Sequence, residues 1–477
     1  PESLYSEYHG CLTLRTIFVS LLLISIRLHA ESRVYIALWF DTEDYIDPTA
    51  DDAALRIAND LTNKGVRATF KVVGERARVL ESRGRRDVIQ ALSKHDIGYH
   101  SNWHSVHPTP AEYLVNLGYL EGAEEFERRE GPGVADVKRV FGRQPSCYGQ
   151  PGNSWGPQSN LALRRLGIPV YLDEGQQVGL REQPFWYGGL LYVFQMGQNQ
   201  FRANLNAGAE DPIANQRFDE AAKRLSAAGG GVISIYYHPT EFVTTEFWDA
   251  VNFKRGANPV RQAWVRPQQR TAADSERCFS VLRRFVEHMK ANPNVRFVTA
   301  TDLLRLYESP LERVSDRKAV AESLTRGIVF AEVQGRMQSP SDMVLVLLGL
   351  EPAIVDGPTV RGTTTYIGTS IPTSAFERTV ADVTDFIRRN RRLPSEVFVG
   401  SDTLSLPDFV ATLAGNVLNP SEEVSIRRGD IQFESYFAKD PRKPFDWVIH
   451  REGFDGAHLL DLGRLQGWTL KPAVLAR

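Results

Sequence analysis

The sequence predicts an α/β protein whose mostly parallel sheet curls into a closed or nearly closed barrel, with a smaller α+β domain after it. Three observations carry this. Short β-branched and aromatic runs alternate with stretches of helical periodicity from residue 33 to residue 310. These units number six or seven, which suits a barrel. Several runs end in acids or histidines, as strands do where a barrel gathers its functional groups at one mouth. A chain of 477 residues also exceeds one ordinary core.

The elements follow in order. "LRTIFVSLLLISIRLHA" carries Arg15, an apolar run from Ile17 to Ile26, and Ala30. The run is too short to span a bilayer, so residues 1–30 read as a secretory signal segment cleaved near Ala30. "RVYIALWFDTEDY" is a buried strand tipped with carboxylates. "DDAALRIANDLTNKGV" has helical periodicity, with Gly65 placed to end it. "RATFKVVGE" is the next strand, "RDVIQALSKH" a helix and "DIGYHS" a strand. Then come "PSCYGQPG", the helix "SNLALRRLGI", "PVYLDE", a buried aromatic strand in "QPFWYGGLLYVF", "GGVISIYYH" and "VRFVTATDLLRLY".

The rhythm breaks at "YESPLERVSDRKAVAE", which is charged and holds a proline. A connector is expected at 311–322 and a second domain at 323–477. Within that domain "SPSDMVLVLLG" (339–349) and "SLPDFVATLAG" (405–415) share Ser, Asp, an apolar pair, Leu and Gly in register. They read either as two related helical units or as two unrelated amphipathic helices.

Fifty-six basic and fifty-eight acidic residues nearly balance, which gives no electrostatic reason for a nucleic-acid partner. Cys11, Cys147 and Cys278 are too few for a disulfide framework or a cysteine-type zinc site. One Cys147–Cys278 bridge is left open, and Cys147 otherwise reads as a small buried hydrophobe.

The strand ends collect Asp41, Glu43 and Asp44 from "WFDTED", His100 and His104 from "GYHSNWH", Asp173 and Glu174 from "VYLDE", and His238 from "ISIYYH". Two histidines four apart can meet one ion if the segment turns helically, and a carboxylate from elsewhere completes a three-ligand set. Three protein ligands with an open position make a catalytic site rather than a structural one. Side chains alternate along an extended strand, so Asp41 and Glu43 share a face; this favours Glu43 over Asp44 as ligand. His107, just before Pro108, reads as a solvated loop residue outside the set.

The ordered motifs "FDTED", "HSNWH", "YGQPGNSW", "YLDE" and "IYYHP" resemble the polysaccharide deacetylase family, the chitooligosaccharide-deacetylase-like carbohydrate esterases. The resemblance covers about residues 33–310 and implies a distorted (β/α)7 barrel. It implies a divalent metal, taken as zinc, held by Glu43 or Asp44 with His100 and His104. Asp41 resembles the general base, His238 the general acid, and Ser101 a residue that holds the loop. Tyr148, Pro151, Trp155 and Asp173 are expected beside substrate. The implied activity is hydrolysis of N-acetyl groups on an amino-sugar polysaccharide or cell-wall glycan by a secreted or envelope-associated enzyme.

One position departs from the family. Where Arg-x-Pro is usual, this chain has "CYGQPG", with Gly149 in the arginine slot and Pro151 kept. A substitute cation, a different substrate such as a cyclic amide or imide, or a non-catalytic wall-binding protein would each account for it. Residues 381–415 resemble a pseudomurein-binding repeat, which implies a cell-wall polymer as partner; a small packing domain without ligand is the plainer reading.

Overall fold

Strand β1 (Val34–Thr42) is the hub of the main sheet. Val34, Ile36, Leu38 and Phe40 point one way into the main apolar core, while Ala37 and Trp39 point the other way into a second cluster on the inner face. Both faces are buried, which explains the nearly unbroken apolar run of this strand. The computed structural model describes residues 33–312 and 314–476. The expected signal segment and Cys11 lie outside the described residues.

The other strands are β2 (Thr69–Val72), β3 (Asp96–Tyr99), β4 (Cys147–Tyr148), β5 (Val170–Leu172), β6 (Phe185–Tyr187), β7 (Leu190–Val193), β8 (Gly231–Tyr237) and β9 (Val295–Val298). Seven run parallel in the order β7-β5-β4-β3-β2-β1-β8. β9 pairs with the first half of β1, on residues 34–37, whereas β2 pairs with residues 39–42. The two ends of the row approach at one isolated parallel bridge between Gln200 and Ser234. The architecture is therefore α/β with a curled, incompletely closed parallel sheet, and the C-terminal strand ends share one mouth.

Local chemistry sets the helices between strands. Asp47 caps the helix Pro48–Asn63 by accepting from Thr49 N, and Gly65 turns the chain out at φ 65°. The helix Tyr119–Phe141 is absent from the sequence reading, because Gly131-Pro132-Gly133 looks like a break. Gly133 has a packing reason: a Cβ there would sit 2.5 Å from the Tyr99 hydroxyl. The stretch "QPFWYGGLLYVF" is a hairpin rather than one strand. β6 and β7 are antiparallel around Gly188 and Gly189, both at positive φ, as a tight primed turn requires.

Residues 317–322 of the expected connector are helical, within Arg317–Leu324, because Asp316 caps them through Lys318 N and Ala319 N. Beyond it two similar units follow. Helix Arg317–Leu324, hairpin β10 (Ala331–Val333) with β11 (Arg336–Gln338), and helix Pro340–Leu347 form the first. Helix Thr373–Asn390, hairpin β13 (Glu396–Val399) with β14 (Asp402–Ser405), and helix Leu406–Leu418 form the second. Ser339 and Ser405 cap the last helices alike, accepting from Asp342 N and Asp408 N. The sequence echo is thus a repeated helix–hairpin–helix. Between the two units lies β12 (Ser370–Pro372), paired with β15 (Glu423–Ser425).

This part packs along the barrel. Tyr187 donates to Gly463 O at 2.9 Å, and Phe433, Phe437, Leu459 and Trp468 share one apolar cluster with Phe185 and Tyr187. A last strand, β16 (Lys471–Pro472), adds to β6 and extends the barrel sheet itself. Cys147 and Cys278 are buried and unbridged.

Candidate metal centre

The ends of β1 and β3 bring Glu43, His100 and His104 together, their ligand atoms all within 4.8 Å of one another and all three side chains buried. Glu43 Oε2 lies 3.3 Å from His100 Nε2 and 2.9 Å from His104 Nε2. The other Glu43 oxygen accepts from Trp248 Nε1 at 3.0 Å, which fixes the carboxylate's rotation. His100 Nδ1 is 3.0 Å from Gly149 O. A carbonyl only accepts, so Nδ1 carries the proton and Nε2 turns its lone pair toward Glu43. His104 Nε2 is buried against the same carboxylate oxygen, and its Nδ1 is 2.6 Å from Ser105 Oγ. The His100 lone pair facing a buried carboxylate is an arrangement that a cation between them would stabilise. Two nitrogens and one carboxylate oxygen are a donor set suited to zinc with an open position.

The loop between the histidines is held in an unusual shape. Ser101 and His104 both adopt positive φ, at 66° and 54°, and Ser101 Oγ accepts from His104 N at 3.0 Å. Non-glycine residues in this region cost of order 1–3 kcal/mol each, and such strain gathers at functional sites.

Asp41 and His238 flank the cluster. Asp41 Oδ2 is 3.6 Å from His238 Nε2, and its Oδ1 is 2.9 Å from Lys71 Nζ and 3.5 Å from His100 Nδ1. His238 Nδ1 donates to Glu241 Oε1 at 2.8 Å, and Arg202 holds both oxygens of Glu241 at 2.7 and 2.8 Å. Burial alone would lower the His238 pKa, but the charges of Glu43, Glu241 and Asp41 raise it to about 9. For Glu43 burial works upward, yet the charges of His104 and His238 and the hydrogen bonds of both ligand histidines leave it well below the usual carboxylate range. His100 is lowered by burial; burial also works downward on His104, but the charge and hydrogen bond of Glu43 together with the charges of Asp249 and Asp41 raise it.

Asp44 stands apart. Its Oδ1 accepts from Ile46 N and Asp47 N at 3.0 and 2.9 Å, and Oδ2 accepts from Thr240 Oγ1 at 2.9 Å. The carboxylate caps the turn after β1, and burial pushes its pKa up to about 6. As a metal ligand it is corrected to a turn-holding residue. These three hydrogen bonds occupy both its oxygens on the side of the turn.

Residues expected beside substrate divide. Asp173 lines the crevice over the centre, a space of about 470 Å³. Tyr148 and Trp155 do not. Tyr148 is 1% exposed, edge-on to Phe126 and Tyr171 in the main core, and Trp155 is fully buried in the same cluster. Pro151 is buried too, and its neighbours Gln150, Gly152 and Asn153 line the crevice instead. The physical reason is that Tyr148 follows the outward side of the strand alternation, against the helix Tyr119–Phe141. His107 is also corrected. It is buried, with Nδ1 2.6 Å from Glu112 Oε2, not solvated.

Sequence reading missed Lys71, Trp248, Asp249 and Trp447. Lys71 had a signal, as the lone charge inside the apolar strand of "RATFKVVGE". Asp249 accepts from Trp447 Nε1 at 2.7 Å and lies 3.4 Å from Ser105 Oγ, which in turn is 2.6 Å from His104 Nδ1. Trp447 comes from the second part of the chain, and no sequence pattern marks it.

No family model matches the chain, and no curated protein matches it in sequence. Among solved structures it is similar to a protein described as a polysaccharide deacetylase from Mycobacterium smegmatis, at 16% identity and a TM-score of 0.37, covering 58% of this chain and 91% of that one. It is similar to Puue allantoinase at 14% identity and a TM-score of 0.37, covering 58% and 90%. It is also similar to a family 4 acetyl xylan esterase from Clostridium thermocellum, solved with cobalt, at 17% identity and a TM-score of 0.29, covering 57% and 90%.

Proposed function

We propose that the protein is a metal-dependent hydrolase that removes N-acetyl groups from an amino-sugar polysaccharide or cell-wall glycan. The observation that carries this is one crevice holding Glu43, His100 and His104 as a ligand set, with Asp41 and His238 on its wall. The three ligand residues would hold the ion, taken as zinc. When bound, it supplies Lewis acidity that polarises a water and the amide carbonyl.

The chain's own residues do the proton work. Asp41 is the general base. Its carboxylate is held by Lys71 and lines the same crevice as Glu43, His100 and His104, where it would accept a proton from water. His238 is the general acid. Glu241 fixes its Nδ1–H, so Nε2 presents a proton to the leaving amine. Trp248 keeps one Glu43 oxygen occupied, leaving the other for the ion.

A second reading, a cyclic amide or imide as substrate, draws on the crevice's limited volume and its wall of Lys443, Pro444, Asp446 and Trp447. The two separate by assay. The purified chain with zinc or cobalt should release acetate from acetylated chitooligosaccharides or peptidoglycan fragments. No acetate from any of them, with metal bound, overturns the glycan reading. Ring opening of cyclic amides under the same conditions establishes the second.

Secretion and attachment to wall polymer through residues 381–415 belong to the same proposal. A mature chain starting near Glu31, and retention of the full chain on wall polymer but not of a chain altered at the basic turn Arg388–Arg392, are the outcomes expected.

A further inference from the structure

The side chain of Lys71 crosses the inner face of the sheet beneath the crevice. Its backbone is in register with Asp41 on β1 and with Gly98 on β3. A Cβ on Gly98 would stand 2.9 Å from Lys71 Cγ, and one on Gly149 would stand 2.0 Å from Lys71 Nζ. Neither glycine has a positive φ, so any residue could adopt their backbone conformations. What their missing side chains provide is the channel through which Lys71 passes two strands.

The ammonium ends 2.9 Å from Asp41 Oδ1, 2.9 Å from Asp173 Oδ2 and 4.0 Å from the Trp39 ring centre. It has no exposed surface. Asp173 is itself tied down, since its Oδ1 accepts from Glu174 N at 2.7 Å. A buried charge held between two carboxylates and an aromatic face has one position open to it.

We infer that Lys71 is the positioning residue for Asp41, its ammonium occupying the place that a side chain at position 149 would otherwise fill and fixing the carboxylate toward the metal centre. The inference rests on the reading of Asp41 as the base. It assigns Gly98 and Gly149 the role of clearance and makes Asp173 an anchor for the ammonium rather than a substrate contact. A buried ion cluster that serves stability alone is the alternative, and it predicts no selective loss of turnover.

The test compares wild type, Lys71→Met, Gly149→Ala and Lys71→Met/Gly149→Arg, each loaded with zinc, for metal content, KM and kcat on acetylated chitooligosaccharides. Lys71→Met is expected to keep one metal per chain and a KM within threefold of wild type while kcat falls at least 100-fold. The double variant, which returns a cation to the same place from the other strand, is expected to recover at least tenfold. A Lys71→Met enzyme within threefold of wild-type kcat overturns the inference, as does a loss confined to KM. Should Lys71→Met not fold, Gly149→Ala decides, because its methyl group displaces the ammonium without removing it; unchanged kcat there overturns the inference. Should wild type release no acetate, the functional reading fails. Crystal structures then decide the positioning separately: an Asp41 carboxylate unmoved in Lys71→Met, or in Gly149→Ala if the former does not fold, overturns it, and a rotated one supports it.

Discussion

Trp447 donates its indole N–H to Asp249 at 2.7 Å, which ties the second part of the chain to the mouth of the barrel. The ring also meets Phe247 edge-on, with centroids 5.7 Å apart, and lines the crevice. Removing it widens the crevice and touches no ligand directly, while Asp249 keeps Ser105 Oγ and Ala250 N as donors. Trp447→Ala should therefore raise KM several-fold while kcat stays within about threefold, as loss of uniform binding does. Unchanged KM in steady-state kinetics would show that substrate does not use this wall.

The two ligand histidines and their neighbour should separate cleanly. His100→Ala and His104→Ala remove a nitrogen from the cluster and should leave less than one metal per chain by elemental analysis, with activity abolished. His107→Ala should keep the metal. Its cost falls on stability, since Glu112 loses the imidazole that holds its carboxyl below the usual range. A drop of about 1–3 kcal/mol in unfolding free energy is expected. Metal loss in His107→Ala with retention in His104→Ala would reverse the assignment.

The metal-free protein should depend on pH through His238. Its pKa is 6.5 unperturbed and about 9 in the fold, so the fold favours the charged imidazole. That stabilisation is complete below pH 6.5 and is lost as pH rises through about 9, a total on the order of 3 kcal/mol at most. Denaturant unfolding of the chelated protein across this window should show the decline, and His238→Gln should flatten it. A wild-type curve as flat as the variant's would refute the assignment. A bound cation neutralises the Glu43 charge and shifts the window lower, leaving Glu241 as the main holder of the proton.

Tyr148→Phe should be neutral or slightly stabilising and leave kinetics unchanged. The hydroxyl is buried with no hydrogen-bond partner among the described residues, so its removal relieves a desolvated group. Thermal unfolding and steady-state rates check both halves. A large rise in KM would return Tyr148 to the substrate contacts.

The barrel was legible because its strands are apolar runs that end in chemistry, and that signal needs no long-range information. "WFDTED" shows both the strand and the place where its side chains face the centre. What stayed hidden depends on pairing between distant strands. Nothing in "CYGQPG" says that Lys71 fills the space beside Gly149; the answer lies in the β1–β2 and β2–β3 registers. Tyr148 was misread for a related reason, since a motif gives order along the chain but not which face of a two-residue strand turns outward, and Trp155 because nothing local shows that its loop turns the ring into the core. Gly188-Gly189 carried a turn signal inside an aromatic run, and the apolar pattern on either side masked it. The contribution of Trp447 comes from tertiary packing alone.

The pairing of Lys471 and Pro472 with Trp186 and Phe185 has a consequence for how the molecule is made. During synthesis the ribosome delivers β6 long before its partner. Until then that edge offers unpaired amides and carbonyls beside a run of aromatic residues, a template for neighbouring nascent chains. Phe437 and Gly463, which pack on Tyr187, also emerge only near the end, so the aromatic run stays uncovered through most of synthesis. Polypeptides cut short within residues 323–470 should therefore be caught by chaperones or precipitate, even though every residue of the metal centre has already been translated.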